Sequence, residues 1–384
     1  MVEKAFRGGK IYWAWIALLL AMIAVGFIAY VRQLNLGLGI TGMGRDVSWG
    51  LYIANFTFLV GVAASAVMVV LPYYLHNFKA FGRITIFGEF LAAASVTMSI
   101  LFIFVDLGQP SRVLNIILYP SPRSILFWDM IVLSLYLILN ITIGWRALEA
   151  EYIDEAPPNW LKPLVFISIP LAISIHTVTA FIYSGLGARP FWLTALLAPR
   201  FLASAFASGP ALLVILCLIM RRFTRFDAGQ EAIRKMSVIV TYALSIHMFF
   251  FLVDLFTIFY AGIPEHMHHV HYLFGPGGQP FLTVSAWISV ILTWVAFFLL
   301  INPRTRKAEG TLVYALLAVI VAVWIEKGLS FVVPGFIPSP LGEIARYSPT
   351  VAEIIITKGV WSVGLLILTI LYKAAVSVKE DAGS

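Results

Sequence analysis

The residues with chemistry to offer lie where a charge is hardest to keep. Glu89, Asp106, Asp129, Asp254, Glu326, Lys327, Glu353 and Lys358 all fall within or at the ends of long apolar stretches. An ionisable side chain in a bilayer is costly unless it is paired, hydrated or in use. At 1.5 Å per helical residue, Asp254 and Lys358 sit ~12 Å from the outer end of their stretches, Glu326 ~10 Å, Asp129 ~6 Å and Glu353 ~5 Å. Asp106 closes its stretch at the same side, and Lys327 adjoins Glu326. Only Glu89 sits near the inner end. Asn55 and His176 share the outer depth. Carboxylates and a neutral imidazole gathered at one depth can accept and pass protons near neutral pH. His176, Asp106 and Asp254 are the candidates for that exchange. Glu89 is the one inner entry to a proton path, for which Glu326 and Lys358 are the other candidates.

Plainer readings stand beside these. Helix-end charges can snorkel to the headgroups, although short carboxylates do so poorly. Glu326–Lys358 and Glu353–Lys327 could be ion pairs between neighbouring helices. His176 and His247 could face each other across a b-type haem. The run Glu265-His266-Met267-His268-His269-Val270-His271 lacks a helical ligand spacing and any cysteine, so it reads as an interfacial loop and no metal site is assigned. The one cysteine, Cys217, excludes an internal disulfide framework or a cysteine-ligated cluster.

The elements that must position these residues are membrane helices. The chain of 384 residues is 61% hydrophobic and 12% charged, and apolar runs of 18 or more residues can span a bilayer. Ten such runs are read near 11–31, 50–75, 84–106, 125–145, 161–183, 195–220, 238–262, 282–301, 311–333 and 350–372. The fold class is therefore all-α integral membrane, with one domain over 1–384. Most Lys and Arg lie before the first run (Lys4, Arg7, Lys10) or after the even-numbered ones, which places both termini in the cytoplasm of a cytoplasmic-membrane protein. Arg189 and Arg200 count among the fewer cations of the outer side. The net charge of +7 reflects the cytoplasmic loops beside anionic lipid and calls for no nucleic acid. A weak repeat pairs Trp49 with Trp192 and Asp106 with Asp254. It predicts two four-helix bundles, 49–184 and 191–333, in the same orientation, with helix 11–31 peripheral and 350–372 last.

Four blocks resemble the NrfD/PsrC-like family of polysulfide reductase membrane subunits. They are Asp46-Val47-Ser48-Trp49-Gly50 with Asn55 and Gly61; Asp106-Leu107-Gly108-Gln109-Pro110-Ser111-Arg112 with Pro122-Arg123-Ser124; Ser174-Ile175-His176-Thr177-Val178 with Phe191-Trp192 and Ser208-Gly209; and Asp254-Leu255-Phe256-Thr257 with Tyr260-Ala261-Gly262. Ten spans and the lead-in Met43-Gly44-Arg45-Asp46 are most similar to its DsrP-like subgroup, from sulfite-reductase-associated complexes. The resemblance implies a respiratory subunit without haem or iron–sulfur cluster of its own. Such a subunit exchanges electrons between a menaquinone-type quinone and a ferredoxin-like iron–sulfur subunit on the outer face. A multihaem cytochrome c and further membrane and cytoplasmic subunits complete the complex. It also implies an oxidoreductase role within that complex only, and a binding site around Asn55, Trp49, Arg112, Trp192 and Arg189. The family often has Glu where Asp254 stands. A secondary transporter is the alternative from another class, for which Pro170 and Pro210 would supply helix breaks.

Overall fold

A computed structural model of the chain describes residue 3 and residues 8–275, 278–339 and 342–382. Lys4 and Arg7 lie outside the described residues. Every regular element among the described residues is helical. Ten helices are long and apolar enough to cross a membrane: α1 Lys10–Leu36, α2 Leu51–Leu75, α3 Thr85–Asp106, α4 Ile125–Tyr152, α5 Leu161–Ser184, α6 Leu197–Phe223, α7 Gln230–Ala261, α8 Pro280–Ile301, α9 Glu309–Phe336 and α10 Val351–Glu380. Each agrees with an apolar run of the sequence. The main extensions are polar turns, at the start of α7 and the ends of α4 and α10, that continue a helix beyond its apolar part.

Helices α2 to α5 pack in chain order, and α5 returns to α2. Helices α6 to α9 follow the same order, with α9 against α6, but α7 and α8 meet only sparsely. The two sets meet chiefly where α2 and α5 touch α6. Helix α2 is the most enclosed, lined on all sides by other helices. Helix α10 leans on α3 and carries α1 on its other side. There Gly26 and Gly359 approach so closely that a Cβ on Gly26 would lie 2.7 Å from the Gly359 Cα. Trp15 Nε1 also donates to Thr369 Oγ1 at 3.2 Å. Small residues let backbones meet where no hydrophobic driving force holds helices together.

Two spans are broken, and the two prolines that a transporter reading would use as breaks do not break theirs. Helix α2 is interrupted at Ala64, where the Tyr136 hydroxyl donates to the freed Ala63 carbonyl at 3.1 Å. Helix α9 is interrupted at Gly328, directly after Glu326 and Lys327. Pro170 and Pro210 sit inside continuous helices.

Asn55 is a clasp between helices. Its Nδ2 donates to Leu51 O at 2.7 Å, while Oδ1 accepts from Trp324 Nε1 at 3.1 Å and Trp361 Nε1 at 3.0 Å. Asn55→Leu should therefore leave two indole N–H groups unpaired, at ~1–3 kcal/mol for each. Reversible unfolding in mixed micelles would measure this; a variant as stable as the parent would show that the indoles find other acceptors.

The end of the bundle opposite the termini corresponds to the outer end of the sequence reading. Here Glu353 is the last member of a capping box at the start of α10. The Thr350 N–H donates to Glu353 Oε2 at 2.9 Å and the Glu353 N–H to Thr350 Oγ1 at 3.3 Å. Gly42 N at 2.7 Å and the Tyr347 hydroxyl at 2.6 Å complete the carboxylate's shell. The expected Glu353–Lys327 pair does not form, because Glu353 is satisfied by these donors. Lys358 is exposed on α10, and no pair with Glu326 forms.

Candidate functional site

The charges that do converge belong to α6, α7 and α9. Arg200, one turn into α6, donates to Asp254 Oδ2 at 2.9 Å and to Glu326 Oε1 at 2.5 Å. The other oxygen of Glu326 meets His247 Nε2 at 2.7 Å. The planar guanidinium suits this bridge, since its fork presents donors to two carboxylates at once. Its face also lies over the Phe251 ring, 5.3 Å from the centroid.

These four residues line one wall of a narrow cleft with an open mouth. Its other walls are mainly apolar: Phe251, Leu252, Leu255 and Ile258 of α7, Ala286, Val290 and Trp294 of α8, and Phe331 beyond the α9 break; Ser289 and Thr293 of α8 also line it, their hydroxyls donating to Ala322 O and Ser289 O. A short helix, Pro264–Phe274, covers the end away from the termini, and His269, Val270, Leu273 and Phe274 face the cleft from it. The histidine-rich run is thus helical rather than a loop; Pro264 occupies its first turn, where a missing N–H costs nothing.

Several polar atoms in these walls are buried without a partner: His247 Nδ1, both ring nitrogens of His269 and Ser330 Oγ. Such groups are costly to leave unmade, and here they belong to residues that line the cleft. His269 packs against Phe191 at 4.8 Å between ring centroids. Burial pushes its imidazole down to about 4, only partly offset by the nearby Pro334 carbonyl. A free imidazole titrates near 6.5. Docking of the short helix is therefore fully favoured above about pH 6.5 and weakens as pH falls from there toward 4, because the undocked form takes up the proton first. Hydrogen exchange across Pro264–Phe274 should rise between about pH 7.5 and 5 while the spans stay protected; equal protection at both would mean that His269 does not anchor this helix.

The other residues singled out in the sequence lie elsewhere. Trp49 and Trp192 pack on each other, 5.7 Å between centroids, and on Tyr183 and Phe336. Trp192 is wholly enclosed, and its indole N–H donates to Phe331 O at 3.1 Å. They form an aromatic wall between the two helix sets, whose far side reaches the cleft through Phe191 and Phe331. Arg189 closes this wall, donating to Phe336 O at 3.1 Å with its guanidinium 5.0 Å above the Phe336 ring. Arg112 is exposed. Asp106 ends α3 half-buried, with Oδ1 unpartnered. His176 is wholly enclosed in α5, also without partners, and does not line the cleft. His247 instead spends its Nε2 on Glu326. Asp129 accepts from Thr179 Oγ1 at 2.8 Å. Lys327 points away from its neighbour Glu326, 4.2 Å from the Phe201 ring centroid. Glu89 is buried in α3 with neither oxygen bonded.

Asp254 and Glu326 are thus brought together. Arg200, His269 and Ser330 are the residues that sequence reasoning missed. Arg200 counts by topology with the outer side, yet it falls within the run 195–220; a cation so placed beside intramembrane acids is the signal that could have found it.

The architecture is that of a polytopic helical membrane protein with a buried ion network opening on an apolar cleft. The chain belongs to the NrfD family of polysulphide reductases, whose model matches residues 39–336. It is 27% identical to a putative dimethyl sulfoxide reductase membrane subunit of Halobacterium salinarum, over 92% of this chain and 89% of that protein. Identity to a selenate reductase subunit of Mesobacillus selenatarsenatis is 24%, covering 90% and 89%. It is 25% to the Hdr-like menaquinol oxidoreductase integral membrane subunit of Archaeoglobus fulgidus, covering 99% and 97%.

Proposed function

We propose that this chain is the quinone-exchanging membrane subunit of a respiratory oxidoreductase complex, and that the ring binds in the cleft of α6 to α9. The observation that carries the reading is the juxtaposition of apolar walls with unpartnered polar atoms and a buried ion network. A quinone has that character: a flat apolar ring with an oxygen at either end. The walls of the cleft fit it on those terms. Bound there, quinol supplies two electrons to a partner protein and releases two protons.

The residues of the chain handle the protons and the fit. His247 Nδ1 is free to bond one ring oxygen, while Nε2 leans on Glu326. A proton taken at Nδ1 can thus be balanced by release from Nε2 to the carboxylate. Arg200 holds Glu326 in place and neutralises Asp254. Ser330 and His269 offer hydrogen bonds to the second oxygen, and the short helix keeps bulk water out. Menaquinone is the quinone favoured, by the name of the Archaeoglobus relative. The electron partner is proposed as an iron–sulfur protein docked at the end opposite the termini, taken as extracytoplasmic from the loop charges. A multihaem cytochrome c and further subunits complete the proposed complex. Sulfur-compound metabolism of the DsrP-like kind is supported by the lead-in Met43–Asp46 and the ten spans.

The test is quinone retention by the native complex. Ser330→Trp fills the cleft beside His247 and should abolish co-purified quinone while the subunits still assemble. If Ser330→Trp retains quinone and His176→Ala loses it, the site belongs among α2 to α5 instead. A reduced-minus-oxidised haem band in the purified chain would favour the cytochrome reading.

A further inference from the structure

The connection from α3 to α4, residues 107–124, carries bulky apolar side chains outside any span. It folds as a 3-10 turn, Pro110–Arg112, and one turn of α-helix, Asn115–Leu118. Leu114, Ile117 and Leu118, at i, i+3 and i+4, share one face. They are 58%, 59% and 65% exposed, and Tyr119 follows at 76%. The turn makes little contact with the spans, so the chain itself leaves this face uncovered. An exposed apolar cluster of this kind marks a surface that meets something else.

Three observations say what covers it. The first is position. The connection starts against the end of α1, where a Cβ on Gly108 would meet Leu38 Cδ1 at 3.5 Å, and it closes on α4, where Trp128 Nε1 donates to Pro122 O at 2.8 Å. Helices α1 and α4 both leave most of their surface uncovered by other helices, so the connection lies at the rim of the bundle. The second is continuity. Leu126 and Trp128, in the first turn of α4, are 55% and 47% exposed beside the loop that Trp128 holds. The apolar face thus leads directly into the surface of α4 that meets acyl chains. The third is charge. Arg112 and Arg123 flank the face, both exposed and neither paired with an acid among the described residues. Apolar groups between two free cations, with a tyrosine and a tryptophan at their edge, have the composition of a segment that lies in the headgroup layer.

We infer that residues 109–123 form a lipid-binding surface. Leu114, Ile117, Leu118 and Tyr119 sink into the acyl boundary of the leaflet opposite the termini, and Arg112 and Arg123 hold phospholipid phosphates. This does not depend on the cleft, which lies among α6 to α9. The anchor sets the level of the end of α3, and with it Asp106, against the headgroups.

Nitroxide labels test this on the full chain and on the native complex, both in nanodiscs of phosphatidylcholine with phosphatidylglycerol. The buried Cys217 is replaced by Ala, and a single cysteine is introduced by Leu118→Cys or Tyr119→Cys, at positions exposed enough to spare the fold. Molecular oxygen dissolves among the acyl chains and a nickel chelate stays in water, so the relaxation of the label by each reads its depth. The oxygen-to-nickel ratio should match that of Leu135→Cys, on the exposed side of α4, and exceed that of Glu155→Cys, exposed in a loop, in chain and complex alike. A ratio like that of Glu155→Cys would overturn the anchor. So would a label open to nickel in the chain alone and shielded from both reagents in the complex, which would make this face a protein interface. Arg112→Gln with Arg123→Gln should lower the ratio at residue 118; an unchanged ratio would overturn the phosphate contacts.

Discussion

Arg200→Ala should abolish quinol-linked electron transfer and destabilise the folded chain by ~3–5 kcal/mol, the scale for breaking a buried ion pair by removing one partner. Two carboxylates depend on this cation. Asp254 and Glu326 come from different helices, α7 and α9, and Arg200 is the group that bonds both. Without it they would repel across the cleft wall, and one would have to take up a proton or move toward water. Arg200→Lys should rescue only part of the loss, because a point ammonium cannot present the two-pronged fork. Combining Arg200→Ala with Asp254→Asn should recover stability but not turnover, since the first change is then partly relieved of its charge imbalance. Unfolding in mixed micelles and quinol oxidation by the assembled complex give the two readouts. Turnover near the parent rate in assembled Arg200→Ala complex would remove the network from function altogether.

Glu326→Gln should lower turnover by ~10²–10⁴-fold, the usual contribution of a positioned acid–base group, while the complex assembles normally. The amide keeps the volume of the side chain and can still accept from Arg200. It cannot receive a proton from His247 Nε2, so the imidazole loses its relay partner. The expected signature is a fall in kcat with little change in quinone retention. If retention falls and kcat per bound quinone does not, Glu326 shapes the cleft and proton transfer runs through another group.

The spans are legible because a bilayer accepts little besides an apolar helix, and each run carries that signature over 18 residues or more. What the runs do not disclose is rotation. Most of these helices are apolar all round, so their sequences say little about which face meets a neighbour and which meets lipid. Lys358 therefore reads as an inward charge and is exposed, and Glu326 pairs with Arg200 and His247 rather than with Lys358. Depth alone places Asp254 and Glu326 correctly at one level, but His176 shares that level and lies away from the cleft. Arg200 is lost to a boundary: two residues either way decide whether a terminal cation is loop or span. Glu353 carries a local signal of its own, the Thr-x-x-Glu pattern of a capping box at Thr350. Ligand spacing alone makes the histidine-rich run a loop, whereas Pro264 at its head marks a helix start.

The glycine contact between α1 and α10 also bears on biogenesis. Trp15 and Thr369, joined by a hydrogen bond, are 354 residues apart, and α1 packs on α10 far more than on any other span. During synthesis α1 enters the bilayer well before α10 and then waits, its small-residue face bare to lipid, until α10 is released. Closure of this pair is thus a late event in maturation.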